Sequence, residues 1–208
     1  MRALVGFLLI IAAGNVWADC APEKMVKIVT RDVRPAVAGT WAAAPKTLYR
    51  WGTHYARLEE TPDTKNGIHG LLVSNNRDHW MVNLTTSTGQ HIVDTADSFD
   101  THAPILGRTG SPLVELEFGC ELEFMKSQGI KPVETTVENR SFLQYKVEAD
   151  GIAIHLLVDP HTEQPWAVEV LENHEPTVQI RYDSYEAGLK PDPALFERPA
   201  GIVYTDAK

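Results

Sequence analysis

The chain has 208 residues, 43% of them hydrophobic, and a formal net charge of −9. An acidic chain with no basic run repels phosphate backbones and offers little to anionic headgroups, which argues against nucleic acid and leaves at most transient membrane contact. No Gly/Ser linker, charge block, internal repeat or second apolar span divides it, so one domain with a sizeable core is expected.

Met1-Arg2 is a short positive start, and Ala3 to Ala13 is an apolar run shorter than the ~20 residues of a spanning helix. Val16-Trp17-Ala18 fits the small-x-small cleavage rule. The sequence therefore predicts a cleaved signal peptide over residues 1–18, a mature chain from Asp19, and a periplasmic or secreted location. A lipid anchor on Cys20 needs a small residue before the cysteine, and Asp19 stands there instead. Residues 19–208, about 190 in number, are read as the single domain.

Met25 to Thr30 reads as a first strand, and Val33 to Ala44, interrupted by Ala, Gly and Pro, as a loop or edge segment. Thr47 to Trp51 and Tyr55 to Glu60 form a hairpin across Gly52-Thr53. Ile68 to Ser74 and His79 to Thr85 pair next, followed by a short strand over His91 to Asp94. The pattern then changes. Ser111 is a good N-cap with Pro112 behind it, and Leu113, Leu116, Cys120 and Phe124 share one face of a helix predicted over Leu113 to Gln128. Gly119 weakens its middle and Gly129 ends it.

Val133 to Glu138 and Phe142 to Ala149 resume the strands. Three more follow from Gly151 to Ser184, each alternating apolar and polar with period two. The tail over Pro191 to Glu197 reads as a turn and short helix, and the last residues as a fraying end. The sum is a mainly β fold: one antiparallel sheet of roughly nine to eleven strands with a short helical insert.

The chemistry-bearing residues form no recognisable catalytic motif, neither Gly-x-Ser-x-Gly nor His-Glu-x-x-His, phosphate loop or Cys-x-x-Cys. Glu117 and Glu121 fall four apart on the predicted helix, where paired acids could act as acid and base; a solvated helix face is the plainer reading. Among the eight histidines, His54, His69, His79 and His91 on the first strands and His155, His161 and His174 on the later ones lack a chelating spacing, so neither metal nor cofactor is expected. Cys20 and Cys120 are expected to form a disulfide in an oxidising compartment, worth up to about 4–5 kcal/mol on the chain-entropy account.

The alternating strands leave greasy faces to be covered by a helix, a second sheet or a ligand. Trp80, Val82, Leu84, Ile152, Ile154, Leu156, Trp166 and Val168 are the predicted lining of a pocket for an apolar ligand, with ordinary core as the other reading.

Three segments carry a family resemblance: Thr47-Leu48-Tyr49-Arg50-Trp51-Gly52, Asp78-His79-Trp80-Met81-Val82-Asn83 and Asp192-Pro193-Ala194-Leu195-Phe196. With the leader, the run of hairpins and the central helical insert, the chain resembles the LolA/LolB-like periplasmic lipoprotein-carrier superfamily over most of its mature length. The resemblance implies an unclosed, strongly curved antiparallel sheet, an incomplete barrel, with the helical insert packed on its concave side. It implies an open space there for acyl chains, and a cavity arginine for which Arg50 and Arg57 are the candidates. The function it implies is an exported binding protein or chaperone for a lipid, acyl chain or lipidated protein. The alternative is an exported hydrolase or metal-dependent enzyme without a recognisable motif.

Overall fold

A computed structural model describes residues 22–96, 101–105, 116–149 and 151–206. The leader over 1–18, Cys20, and the predicted helix start at Ser111 and Pro112 lie outside the described residues. The fold is mainly β, with 53% strand, built as one open, curved, twelve-stranded sheet with an insert helix.

The first meander comprises β1 (Met25–Asp32), β2 (Lys46–Trp51), β3 (Tyr55–Glu60), β4 (Gly70–Asn75), β5 (Asp78–Asn83) and β6 (Thr88–Val93). The second comprises β7 (Val133–Val137), β8 (Arg140–Ala149), β9 (Ile152–Val158), β10 (Pro165–Glu172) and β11 (Glu175–Leu189). β1 pairs antiparallel with β11 and so joins the two meanders into one sheet. Tight hairpins keep successive strands adjacent. Glu138-Asn139 and Asn173-His174 all have φ between 51° and 69°, as a two-residue turn that matches strand twist requires.

The end of the chain differs from the expected fraying. Pro193–Phe196 forms a 3-10 turn capped by Asp192, whose side chain accepts from the Ala194 N–H. The chain then adds β12 (Val203–Asp206), parallel to β6 and the one parallel pair among the described strands.

Register decides what each side of the sheet covers, because paired residues point to the same face and successive residues to opposite faces. Ile28, Leu48, Leu58 and Leu72 are consecutive register partners, so they share one face. Ile28 and Leu48 belong to a core with Ile154, Leu156 and Val168, roofed by Leu116, Leu122, Phe124 and Met125 of the insert. Leu71 and Val73 flank Leu72 and must point the other way. They belong to a second core with Met25, Trp80 and Val82, closed by Phe196 of the tail. The sheet thus has two cores on opposite sides: an insert face over the second meander and a tail face over the first.

The helix is shorter than its periodicity suggests. α1 runs over Glu121–Ser127 only. Residues 116–118 instead ladder with 103–105, through Ile105 N–H to Leu116 O and Phe118 N–H to Ala103 O, both at 2.9 Å. Gly119, at φ +92°, separates ladder from helix, and a Cβ there would lie 3.1 Å from Val26 Cγ2. Gly129 at φ +68° closes α1. Its N–H reaches Lys126 O and the Ile130 N–H reaches Met125 O, the paired bonds of a glycine C-cap.

Candidate functional site

Two features of the insert face bear on function: a buried polar junction and an apolar row. The junction is built where β2 and β11 pass beneath the insert. Arg50 of β2, 1% exposed, forms an ion pair with Glu117, itself 4% exposed. It also donates to Phe118 O at 3.0 Å and Thr101 O at 3.3 Å. His102 Nδ1 lies 2.5 Å from the other Glu117 oxygen, and the Ala103 N–H donates to Glu117 at 3.3 Å. Arg50 therefore holds both described segments of the insert.

Glu121 is fully buried, at 0% exposure. It accepts from the Tyr182 hydroxyl at 2.6 Å and from the Gly119 N–H at 3.1 Å. Burial pushes its carboxyl up to about 7, although the bonds from Tyr182 and Gly119 favour the ionised form and act against the rise. Burial, then the adjacent Glu121, likewise raises the Tyr182 phenol well above its ordinary value, and Tyr185 is raised for the same reasons. The predicted solvated pair of acids is corrected here. Glu117 and Glu121 are interior, and Glu117 precedes the helix rather than sharing a face with Glu121 on it.

The two arginines expected as cavity candidates play matching parts on opposite faces. Arg57 pairs with Glu59 at 2.8 Å and donates to Leu195 O at 3.3 Å, which ties down the tail. Arg50 ties down the insert and is the buried one.

The apolar row crosses the strands on the insert face. Ile28, Leu48, Leu58, Leu72 and Met81 are register partners from β1 to β5. At a strand spacing of about 4.8 Å the row is roughly 19 Å long. Its exposure rises along it: Ile28 0%, Leu48 7%, Leu58 partly buried, Leu72 36% and Met81 51%. One end is roofed by the insert and the other is open to water. Beside it run polar partners: Ser74 with His79 on one side, Lys46 with Glu60 on the other.

The predicted lining residues are divided among three places. Ile152, Ile154, Leu156 and Val168 lie in the insert core, between 0 and 5% exposed. Trp80 and Val82, with Leu84 packed beside them, lie in the tail core. Trp166 sits where the β9–β10 register shifts between Pro165 and Ala167. It packs on Phe142 at 4.3 Å with the Arg181 guanidinium 3.4 Å over its ring. The structure does not bring the three groups together. The residues missed were Leu48, Leu58, Leu72 and Met81. A signal for Leu72 and Met81 exists in the unbroken apolar runs Leu71-Leu72-Val73 and Trp80-Met81-Val82, which make a strand greasy on both faces.

The histidines take separate partners: His69 with Glu59, His91 with Asp78, His155 with Glu169. Among the described residues no group of three or more His, Cys, Asp or Glu could hold a metal ion. No helix among them is long and apolar enough to cross a membrane. Cys120 is buried at 3% exposure; its expected partner Cys20 lies outside the described residues.

No protein-family model and no curated protein matches the chain. Solved structures do. An uncharacterised conserved protein from Thermus thermophilus is similar at TM-score 0.54 and 8% identity, over 89% of this chain and 91% of that one. That likeness shows a shared fold. MucB in the MucA/MucB complex of Pseudomonas aeruginosa is similar at TM-score 0.43 and 12% identity, over 85% of this chain and 56% of its own length. The LolA superfamily protein NE2245 from Nitrosomonas europaea is similar at TM-score 0.32 and 11% identity, over 85% of this chain and 91% of that one. Both of these likenesses are weak.

Proposed function

We propose that the protein is an exported carrier or chaperone that holds an apolar ligand (a lipid, an acyl chain or the lipid of a modified protein) on the insert face of its sheet. The observation that carries this reading is the apolar row from Ile28 to Met81, which leaves the roofed core and emerges into water. A sheet face built only for stability has no need of apolar side chains at its open end. A ligand lying over Leu72 and Met81 would gain about 25 cal/mol per Å² of apolar surface removed from water, on the order of 1.5–3 kcal/mol for each side chain covered. Export is supported by the charged and apolar start of the chain and its small-x-small site before Asp19.

The test uses the open end of the row, where a substitution spares the core. Leu72→Arg and Met81→Glu should leave circular dichroism and thermal unfolding unchanged, since both positions are exposed. Each should weaken uptake of a fluorescent fatty acid at least tenfold. Wild-type protein that takes up no fatty acid, lysophospholipid or acylated peptide at micromolar concentration would refute the reading. Equal uptake by the two variants would remove the row from it.

A further inference from the structure

The insert is fastened to the sheet by a buried acid as well as by apolar contact. Glu121 stands at the start of α1, closed to solvent, with Tyr182 of β11 on one carboxyl oxygen and the Gly119 N–H on the other. Neither bonding partner carries a charge. Among the described residues, the titratable groups around it are Tyr182 and Tyr185 on β11 and Glu123 on its own helix. Across the same junction stand Arg50 of β2, Glu117 and His102, and there Arg50 is committed to Glu117. β9, against which α1 also lies, turns aliphatic side chains to this face. An ionised carboxylate in such a place has lost its water and, among the described residues, gained no bonded cation.

We propose that Glu121 is a proton-controlled catch: with its carboxyl neutral, segment 116–127 stays seated on the sheet, and ionisation loosens it. Seated, the carboxyl holds its proton up to about pH 7, because of burial. Swung into water it returns toward the ordinary 4.5. The seated form binds the proton more tightly, so raising the pH from about 4.5 to 7 favours the loosened form, and the gain levels off above 7. Between about pH 5.5 and 8.5 the opening equilibrium should rise about thirtyfold, from the difference between those two values. Opening of one element while the rest stays folded is an ordinary low-energy excursion. Here it would withdraw Leu122 and Met125 from the buried cluster they share with Leu156 and Val168. The catch does not depend on the apolar-ligand reading and is tested without a ligand.

The experiment is hydrogen exchange of the full chain, read by mass spectrometry on peptides from 116–127 and corrected for the intrinsic pH dependence of exchange. Wild-type protection of this segment, relative to the β3–β4 hairpin, should fall about thirtyfold from about pH 5.5 to 8.5. Glu121→Gln removes the titratable proton; its amide oxygen can still accept from the Gly119 N–H and its amide N–H can donate to the Tyr182 oxygen, and its profile should be flat. His102→Gln should retain the wild-type slope. Tyr182→Phe removes a bond that favours the carboxylate, so its fall in protection should continue to higher pH before levelling off, which moves its midpoint up. A flat wild-type profile overturns the proposal, as does a slope that survives Glu121→Gln or disappears in His102→Gln. If Glu121→Gln does not fold, Tyr182→Phe decides alone, and an unmoved midpoint overturns the proposal.

Discussion

Arg50→Met is the most informative single perturbation of the fold. The guanidinium is 1% exposed and bonded to Glu117, Phe118 O and Thr101 O, all in the insert. Removing it strands the Glu117 charge in the interior, a loss of about 3–5 kcal/mol where such pairs have been broken from one side. Against a total stability of roughly 5–15 kcal/mol, that is a large fraction. The measurement is urea unfolding with His102→Gln in the background, so that an imidazole on Glu117 cannot stand in for the lost cation. Adding Glu117→Gln should recover at least about 1.5 kcal/mol, because the stranded charge is then gone. Insert peptides over 116–127 should lose protection, while the Leu71, Val73 and Phe196 core on the opposite face should not. A penalty under about 1 kcal/mol, or strictly additive single effects, would show that the pair does not hold the insert.

Phe196→Ala should destabilise by about 3–5 kcal/mol, since the ring is wholly buried beside Tyr55 at 5.5 Å, and limited proteolysis should then cut first in the tail. Gly119→Ala should cost about 1 kcal/mol or more by thermal unfolding, because its φ of +92° strains an L-residue and its Cβ meets Val26. Total stability, compared with Glu121→Gln, should fall by up to about 3 kcal/mol as the pH rises from 4.5 through 7, since the folded chain holds a proton there that the unfolded chain releases; urea midpoints across that range check it. Non-reducing peptide mapping of exported protein should join the Cys20 and Cys120 peptides, and recovery of both as free thiols would end the disulfide proposal.

The strands were legible because most alternate with period two and turn residues bound them; Met25–Asp32, Tyr55–Glu60 and Ile152–Val158 fall where the pattern puts them. Alternation says that one face of a strand is greasy. It does not say which side of the sheet that face joins. Trp80 and Val82 read as partners of Leu156 and Val168 for this reason, yet they point to opposite sides. The changeover lies in β1, where Met25 goes to the tail core while Val26 and Ile28 go to the insert core. Consecutive apolar residues at Met25-Val26, both buried, were a visible sign of a strand used on both faces. The last strand escaped notice because four residues are too few for a period, and its place depends on the close approach of the tail to β6. Gly89 permits that approach, since a Cβ there would lie 2.7 Å from Met81 O and 3.3 Å from Ile202.

The buried acids were misplaced for a different reason. Charged residues four apart on a helix are usually solvated, and sequence spacing carries no information about what will be laid over them. Glu117 and Glu121 are inside because Arg50 and Tyr182 come to them from strands 67 and 61 residues away in the chain. An insert held by apolar contact alone would be a fixed roof. One held through a charge pair and a protonatable carboxyl rests on interactions that a single proton can reverse, and it roofs the buried end of an apolar row whose other end is already in water. Those two properties, a fastening that a proton would switch and a greasy path leading under the roof, are what the proposed carrier function requires in order both to keep a ligand and to give it up.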